Sequence, residues 1–475
     1  MDNFNLNNIP NTNFVFDFKT PDGYLPFGYT KHTFALNILN KLESKHESFT
    51  GYYPAIDTPY NYQLNRTAAF STHIVEYTPH TRFVLTNEIR DNLNKNELYV
   101  VVVEALNVNN LFEYYLSNDL NLNDLFSPQL LDLIKKNRNF KILFMDIREG
   151  AYSHNIEFLI KINDFLNENK IEDTDKVLVS TNNNFINKLN LNSIFKSFKN
   201  RINLYPNNYY LLTAGRFISE LRVKNNSIVE NDYEFSIQQN LNFNNKEKYF
   251  LMYNRNSERI HRAYFVNELY KLNLLDKGYV SFFENPYLES FLEHTSVYPP
   301  LELTNEDLTD IKNNYKNYYP LFIDESNSEK VSDFHNFLSR KDEYEKSYFT
   351  IISETNAESN YNFITEKTIK PIMNLHPFVV LGNPHTLKIL KEFGFNTFDK
   401  WWDESYDNEF DFKTRAKMIL AIVNNLCNKS KEEMGELLLE MQDVLIYNKN
   451  LLHKLSTSKE FEKQFFKTIT NKNIL

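Results

Sequence analysis

The chain alternates between two hydrophobic patterns. "LYVVVVEAL" (98–106) and "FKILFMDI" (140–147) are unbroken apolar runs of strand length, as expected of strands covered on both faces. "KVLVST" (176–181) is a third. Between them, 123–137 and 153–169 carry apolar residues at helical spacing. A polar stretch without periodicity, "QNLNFNNKEK" (239–248), interrupts this and reads as a linker. The alternation then restarts. "YFLMYNR" (249–255) predicts a strand and "RIHRAYFVNELYKLNLL" a helix. "SYFTIIS" (347–353) predicts a strand, 365–375 a helix, and "PFVVLG" (377–382) another strand. "HTLKILKEFGF" follows as a helix, with Gly394 suited to its C-cap. Residues 413–470 read as helical. Residues 1–90 are aromatic, Asn-rich and irregular, with one helix expected near 32–46, and 285–340 reads as long loops. No fixed-period repeat is visible.

Strands alternating with helices imply crossover connections and parallel sheets. The expected fold class is therefore α/β: two Rossmann-like domains facing a cleft, with a helical C-terminal tail. The boundaries fall at 1–240, 241–425 and 426–475. Ligands of such sheets bind beyond the carboxyl ends of the strands, so chemistry is sought there.

Composition narrows the classes. A chain of 475 residues is too long for one ordinary core, and 42% hydrophobic residues suffice for two. A net charge of -10 disfavours general nucleic-acid binding, although a local basic pocket survives that argument. The single cysteine, Cys427, excludes an internal disulfide framework and a cysteine-based zinc site. No signal peptide and no apolar run of membrane-spanning length is seen, so a cytoplasmic location and no membrane span are expected.

Several strand ends carry candidate groups. The strand 140–147 runs into Arg148, Glu149 and Gly150. Glu149 at the cleft is a candidate general base; the alternative is a solvated turn carboxylate or a partner for Arg148. Glu104, near the end of the first run, is its rival. The strand 249–255 leads into Arg255, Arg259 and Arg262 around a strand-to-helix turn. Arginine forks there suit phosphate, with Arg255 and Arg259 the candidates; the alternative pairs Arg259 and Arg262 with Glu258 or Glu268. His261 reads as a surface or packing residue rather than a catalyst. The strand 347–353 ends in Glu354 and Thr355. Past a polar loop, Thr365 is a candidate N-cap, which puts Glu366 and Lys367 in the first helical turn. Positive partial charge gathers there and Lys367 adds a full charge, a site suited to a diphosphate, while Glu366 can hold ribose hydroxyls. Lys370 lies four residues beyond Glu366, so the two can instead be a plain surface pair.

The chain has no GxGxxG and no GxxxxGK, so neither the dinucleotide fingerprint nor a P-loop is present. "EDTD" (172–175) precedes its strand, on the wrong end for a cleft metal, and no HExxH or histidine cluster occurs. No metal site and no tightly held cofactor are expected.

"FTIISET", "NFITEK" and "PFVVLG" in this order resemble the donor-binding motif of the α1,3-fucosyltransferases. The matching positions are Phe349, Glu354, Thr365, Glu366, Lys367, Pro377, Val379, Val380 and Gly382. "YFLMYNRNSERIHR" and "FGFNTFDKWWDESYD" look like the start and end of the same domain in glycosyltransferase-like proteins of phages and large viruses. The resemblance spans about residues 249–410 and departs from the family at Thr355, where an Asn is usual, and at Asn362, near its usual Asp. It implies a GT-B glycosyltransferase whose C-terminal domain binds a nucleotide-diphosphate sugar, GDP-fucose-like among the options. It also implies an inverting, metal-independent transfer to a hydroxyl acceptor. Glu366 would hold the ribose, and Lys367 with an arginine near 255 the diphosphate. The acceptor, whether glycan, protein or modified base, is not specified. Two other classes stand beside this reading: a carboxylate-dependent hydrolase using Glu149 and Glu354, and a non-catalytic viral or structural protein.

Overall fold

The structure is a computed structural model. It describes residues 9–16, 80–85, 92–105, 122–126, 128–146, 152–172, 176–181, 203–206, 245–254, 259–282, 301–321, 341–357 and 364–470, with Asn5, Asn7, Ile89, Leu292 and Ile323 as isolated positions. The chain divides into two compact units. One comprises Met1–Asn207 with Phe461–Leu475, the other Asn208–Glu460.

The first unit contains β1 (Thr12–Phe16), β2 (Thr81–Leu85), β3 (Leu98–Ala105), α1 (Pro128–Lys136), β4 (Phe140–Asp146), α2 (Tyr152–Glu168), β5 (Val177–Thr181) and β6 (Asn203–Pro206). Its strands run parallel in the order β2-β1-β3-β4-β5-β6. Phe140, Ile142 and Phe144 of β4 alternate into a core with Leu130 and Ile134 of α1 and Ile162 and Phe165 of α2. The buried ammonium of Lys176 donates to the Ile134 carbonyl at 2.5 Å and so caps the end of α1. Of the expected strands, β3, β4 and β5 lie where the apolar runs predicted them.

The second unit contains β7 (Lys248–Asn254), α3 (Ile260–Lys271), β8 (Gly278–Phe282), α4 (Asn305–Asn314), α5 (Lys341–Glu345), β9 (Ser347–Ser353), α6 (Glu366–Met373), β10 (Phe378–Leu381), α7 (Thr386–Glu392), α8 (Phe412–Cys427), α9 (Lys431–Glu440) and α10 (Gln442–Thr457). Its parallel strands take the order β10-β9-β7-β8. In each sheet the first strand is therefore flanked by the second and the third. Such an order reverses direction between the first and third strands, and that reversal opens the crevice in which ligands of doubly wound sheets sit. The β7–β8 pair is tight: a Cβ on Gly278 would fall 2.3 Å from the Phe250 ring. Gly394, at φ 92°, follows α7 in the left-handed conformation expected of its C-cap.

The last helix, α11 (Glu460–Thr470), belongs almost wholly to the first unit. Its Phe465 ring lies 6.2 Å from that of Phe14 on β1, and Phe461, Phe466 and Ile469 are buried with it. The stretch expected as one helical tail thus divides, with α8 to α10 in the second unit. The structure also adds elements that the pattern missed. β1, β2 and β8 are five-residue strands and β6 has four, too short to stand out from their surroundings. α4 lies inside the stretch read as long loops. No helix of the described residues is long and apolar enough to cross a membrane. The helix expected near 32–46 lies outside the described residues.

Candidate functional site

In the second unit the reversal of strand order falls between β7 and β9. The residues at their carboxyl ends are Asn254, Ser353 and Glu354, and two helix starts lie beside them.

The chain leaves β9 through Glu354 and re-enters at Thr365, which caps α6: its hydroxyl accepts from the Lys367 amide at 3.2 Å. Glu354 is 3% exposed. Its carboxylate accepts the Thr365 hydroxyl at 2.6 Å and the Thr368 hydroxyl at 2.6 Å. Burial pushes its carboxyl above the usual range, although the Lys367 charge and the two threonine bonds pull the other way. Both oxygens are occupied by the start of α6. Glu354 therefore fixes the strand end to the helix start, beside two polar neighbours.

Those neighbours are Lys367 and Glu366. The Lys367 ammonium lies 3.1 Å from the Thr355 hydroxyl, 3.1 Å from the Glu366 carboxylate and 3.5 Å from the Thr365 hydroxyl. The two side chains keep 24% and 20% of their surface exposed. They are the partly open polar edge of an otherwise buried helix start. Burial pushes the Glu366 carboxyl upward, but the charges of Lys367 and Lys370 outweigh it and hold the group below its ordinary value. Glu366 is thus an anion at neutral pH, an acceptor only. Lys370, one turn on, acts through its charge on Glu366.

On the other side of the crevice, Arg259 is the N-cap of α3 and is partly exposed. The next two residues are buried. His261 Nε2 lies 3.0 Å from the Glu354 carbonyl, and Arg262 Nη2 donates to the same oxygen at 3.1 Å. Arg262 is thus buried, and its guanidinium secures the end of β9. The cause is α3 itself, in which every residue from Ile260 to Asn267 is buried. A helix wrapped on all sides has no polar stripe to betray which charges turn inward.

A further arginine, one that pattern reading missed, gathers the loops. Arg415 of α8 is 1% exposed. It donates to the carbonyls of Gly382 at 3.0 Å, Ala357 at 2.5 Å, Glu409 at 2.6 Å and Phe410 at 3.2 Å. Burial lowers it to about 10, against the nearby acidic charges. It lay inside an ordinary helical pattern, and no local sequence signal marks a buried guanidinium that bonds only carbonyls.

Glu149 and Arg255 lie outside the described residues, as do the side chain of Glu104 and residues 173–175 of the Asp-x-Asp. Among the described residues, no group of three His, Cys, Asp or Glu is placed to hold a metal ion.

No protein-family model matches the chain, and no curated protein does. Among solved structures, similar chains include a UDP-forming α,α-trehalose-phosphate synthase from Burkholderia xenovorans. It is 9% identical with a TM-score of 0.38, and the match covers 98% of this chain and 99% of that one. A Candida albicans trehalose-6-phosphate phosphatase N-terminal domain is 8% identical with a TM-score of 0.39, covering 95% and 96%. A trehalose-6-phosphate synthase is 10% identical with a TM-score of 0.36, covering 95% and 98%. At these values the likenesses add nothing to the reading of the site, which stands on its own residues.

Proposed function

We propose that the chain is a glycosyltransferase of the GT-B kind that takes a nucleotide-diphosphate sugar as donor. One observation carries the reading. The capped start of α6, with the Lys367 ammonium beside it, is fixed by Glu354 to the end of β9, at the reversal of strand order. The positive end of a helix dipole with an ammonium beside it suits a diphosphate. Glu366, an anion with part of its surface open, suits a pair of ribose hydroxyls. Arg259, partly exposed at the start of α3, is the second cation for the diphosphate.

In this reading the acceptor hydroxyl loses its proton to Glu149 of the first unit and attacks the anomeric carbon. The bond from that carbon to the diphosphate oxygen breaks, and the leaving group departs with the electron pair. Lys367, Arg259 and the α6 amides stabilise its charge. The likeness of the 349–382 motif to the α1,3-fucosyltransferases supports assigning the transfer as inverting and metal-independent. A guanosine donor carrying fucose is one option for the sugar.

Calorimetry with GDP, UDP and ADP tests the reading. At least one should bind, and Lys367→Ala should weaken it by about tenfold or more, the loss of one charge-assisted contact. No heat with any of the three overturns it.

A further inference from the structure

The crevice between β7 and β9 holds more than the charges at its rim. Asn254 is 0% exposed, and both Nδ2 and Oδ1 of its carboxamide lack a hydrogen-bond partner among the described residues. Ser353 is 2% exposed and its Oγ also lacks one. The β7–β9 pairing keeps one offset, with Lys248 opposite Ser347 and Leu251 opposite Thr350. Carried to the strand ends, it sets Asn254 level with Ser353 and on the same face of the sheet. His261 is the third such residue. Its Nε2 faces the Glu354 carbonyl, which can only accept, so Nε2 carries the proton. Burial and the Arg262 charge keep the ring neutral, so Nδ1 is a bare acceptor, buried and unpartnered among the described residues.

Buried polar groups are ordinarily paired, and each that is not carries a desolvation cost. Two residues with this defect at the ends of two adjacent strands, and a third in the helix start bonded to the next residue of β9's exit, call for a functional account where ligands of such sheets bind. We propose that Asn254, with Ser353 at the neighbouring strand end and His261 at the start of α3, recognises a hydroxyl-bearing ring of the ligand, sugar or ribose, and not its phosphates. The chemistry of the set selects this class. A bare imidazole nitrogen needs a donor, which a phosphate dianion cannot supply. A carboxamide offers one acceptor and two donors, and a serine hydroxyl serves either way. Neighbouring hydroxyls, each donor and acceptor, satisfy all three. The assignment rests on the function proposed above and adds to it the part of the donor that these residues read.

The test measures melting temperature and nucleotide-sugar affinity for the full-length wild type, Asn254→Leu, Ser353→Ala and Asn254→Asp, with GDP-fucose and UDP-glucose as probes. Leucine keeps the volume of Asn254 and removes two unpaired atoms. The melting temperature without ligand should therefore hold or rise, while affinity falls by about tenfold or more. Ser353→Ala should follow in the same direction by a smaller factor, and it decides the matter if Asn254→Leu does not fold. Asn254→Asp should keep affinity within a few fold, because a carboxyl group still accepts from hydroxyls. A loss larger than that of Asn254→Leu would assign phosphate instead and overturn the hydroxyl reading. Full affinity in both Asn254→Leu and Ser353→Ala overturns the inference while leaving the proposed function standing. If the wild type binds neither these sugars nor any nucleoside diphosphate, the function proposed above falls and the inference with it.

Discussion

At the scale of single residues, the proposed function separates groups that would touch a ligand from groups that hold others in place. The pairing of Lys367→Ala with Glu149→Gln tests that separation. The first removes a charge that meets the diphosphate in ground and transition states, so donor affinity and turnover should both fall. The second keeps shape and removes the base. Turnover should drop by about 10²–10⁴-fold with donor affinity unchanged, read by steady-state kinetics beside calorimetry. Thr365→Val removes the cap of α6 and one donor to a buried carboxylate. Urea unfolding should show a loss of about 1–2 kcal/mol. A different residue, His376, contributes to the acid limb of stability. His376 is 0% exposed, with Nδ1 2.6 Å from the Thr350 hydroxyl and Nε2 2.7 Å from the Ser347 carbonyl. Burial, and then the Lys246 charge, hold it down to about 3. The unfolded chain takes up this proton below about pH 6.5 while the folded one refuses it until about 3. The stability it contributes is therefore complete above 6.5 and is lost as pH falls toward 3, by roughly 1.4 kcal/mol per pH unit. Comparing urea midpoints at pH 7 and pH 5 for wild type and His376→Gln checks this, and the variant should show the smaller loss.

At the scale of elements, legibility followed length and burial. β3, β4, β7, β9 and β10 were readable because a strand covered on both faces is an unbroken apolar run. β8 was not, since "GYVSF" is short and places a serine where Ser281 accepts from the Asn254 amide. α4 was missed although its signal was present. Thr304 and Asp307 form a capping box, with Asp307 accepting from the Thr304 amide at 2.7 Å, but the helix is polar and carries few apolar residues to show its period. The start of α6 was readable because a cap is local: Thr365, Glu366 and Lys367 are consecutive. The roles of Glu354, Arg262 and Arg415 were not, since each depends on a carbonyl or hydroxyl distant in sequence. One element contact has a sharp consequence. Gly278→Ala drives a methyl into the Phe250 ring and should cost about 1–3 kcal/mol. Phe250→Leu made on top of it should restore part of that loss, a coupling that a double-mutant cycle in urea would measure.

At the scale of the whole molecule, the chain passes from the first unit to the second at Asn207 and returns at Phe461. The returning α11 buries Phe461, Phe465, Phe466 and Ile469. At about 1.5–3 kcal/mol per buried apolar side chain, these contribute on the order of the entire net stability of a domain. A chain ending at Lys459 should lose the first unit and keep the second. Limited proteolysis with mass spectrometry would then show a surviving fragment close to residues 208–459 with the N-terminal region digested. The same return of the chain sets an order of events on the ribosome. Domains ordinarily fold as they emerge, first made and first finished. Here β1 at Thr12–Phe16 waits for a helix at Glu460–Thr470. At translation speeds of about 5–20 residues per second, that is a delay of roughly 20–90 seconds. The second unit needs no residue beyond Glu460, so the half of the protein made later is the half that can be complete first. Through that interval the face of β1 that carries Phe14 stands uncovered, and nascent-chain chaperones have their longest claim there.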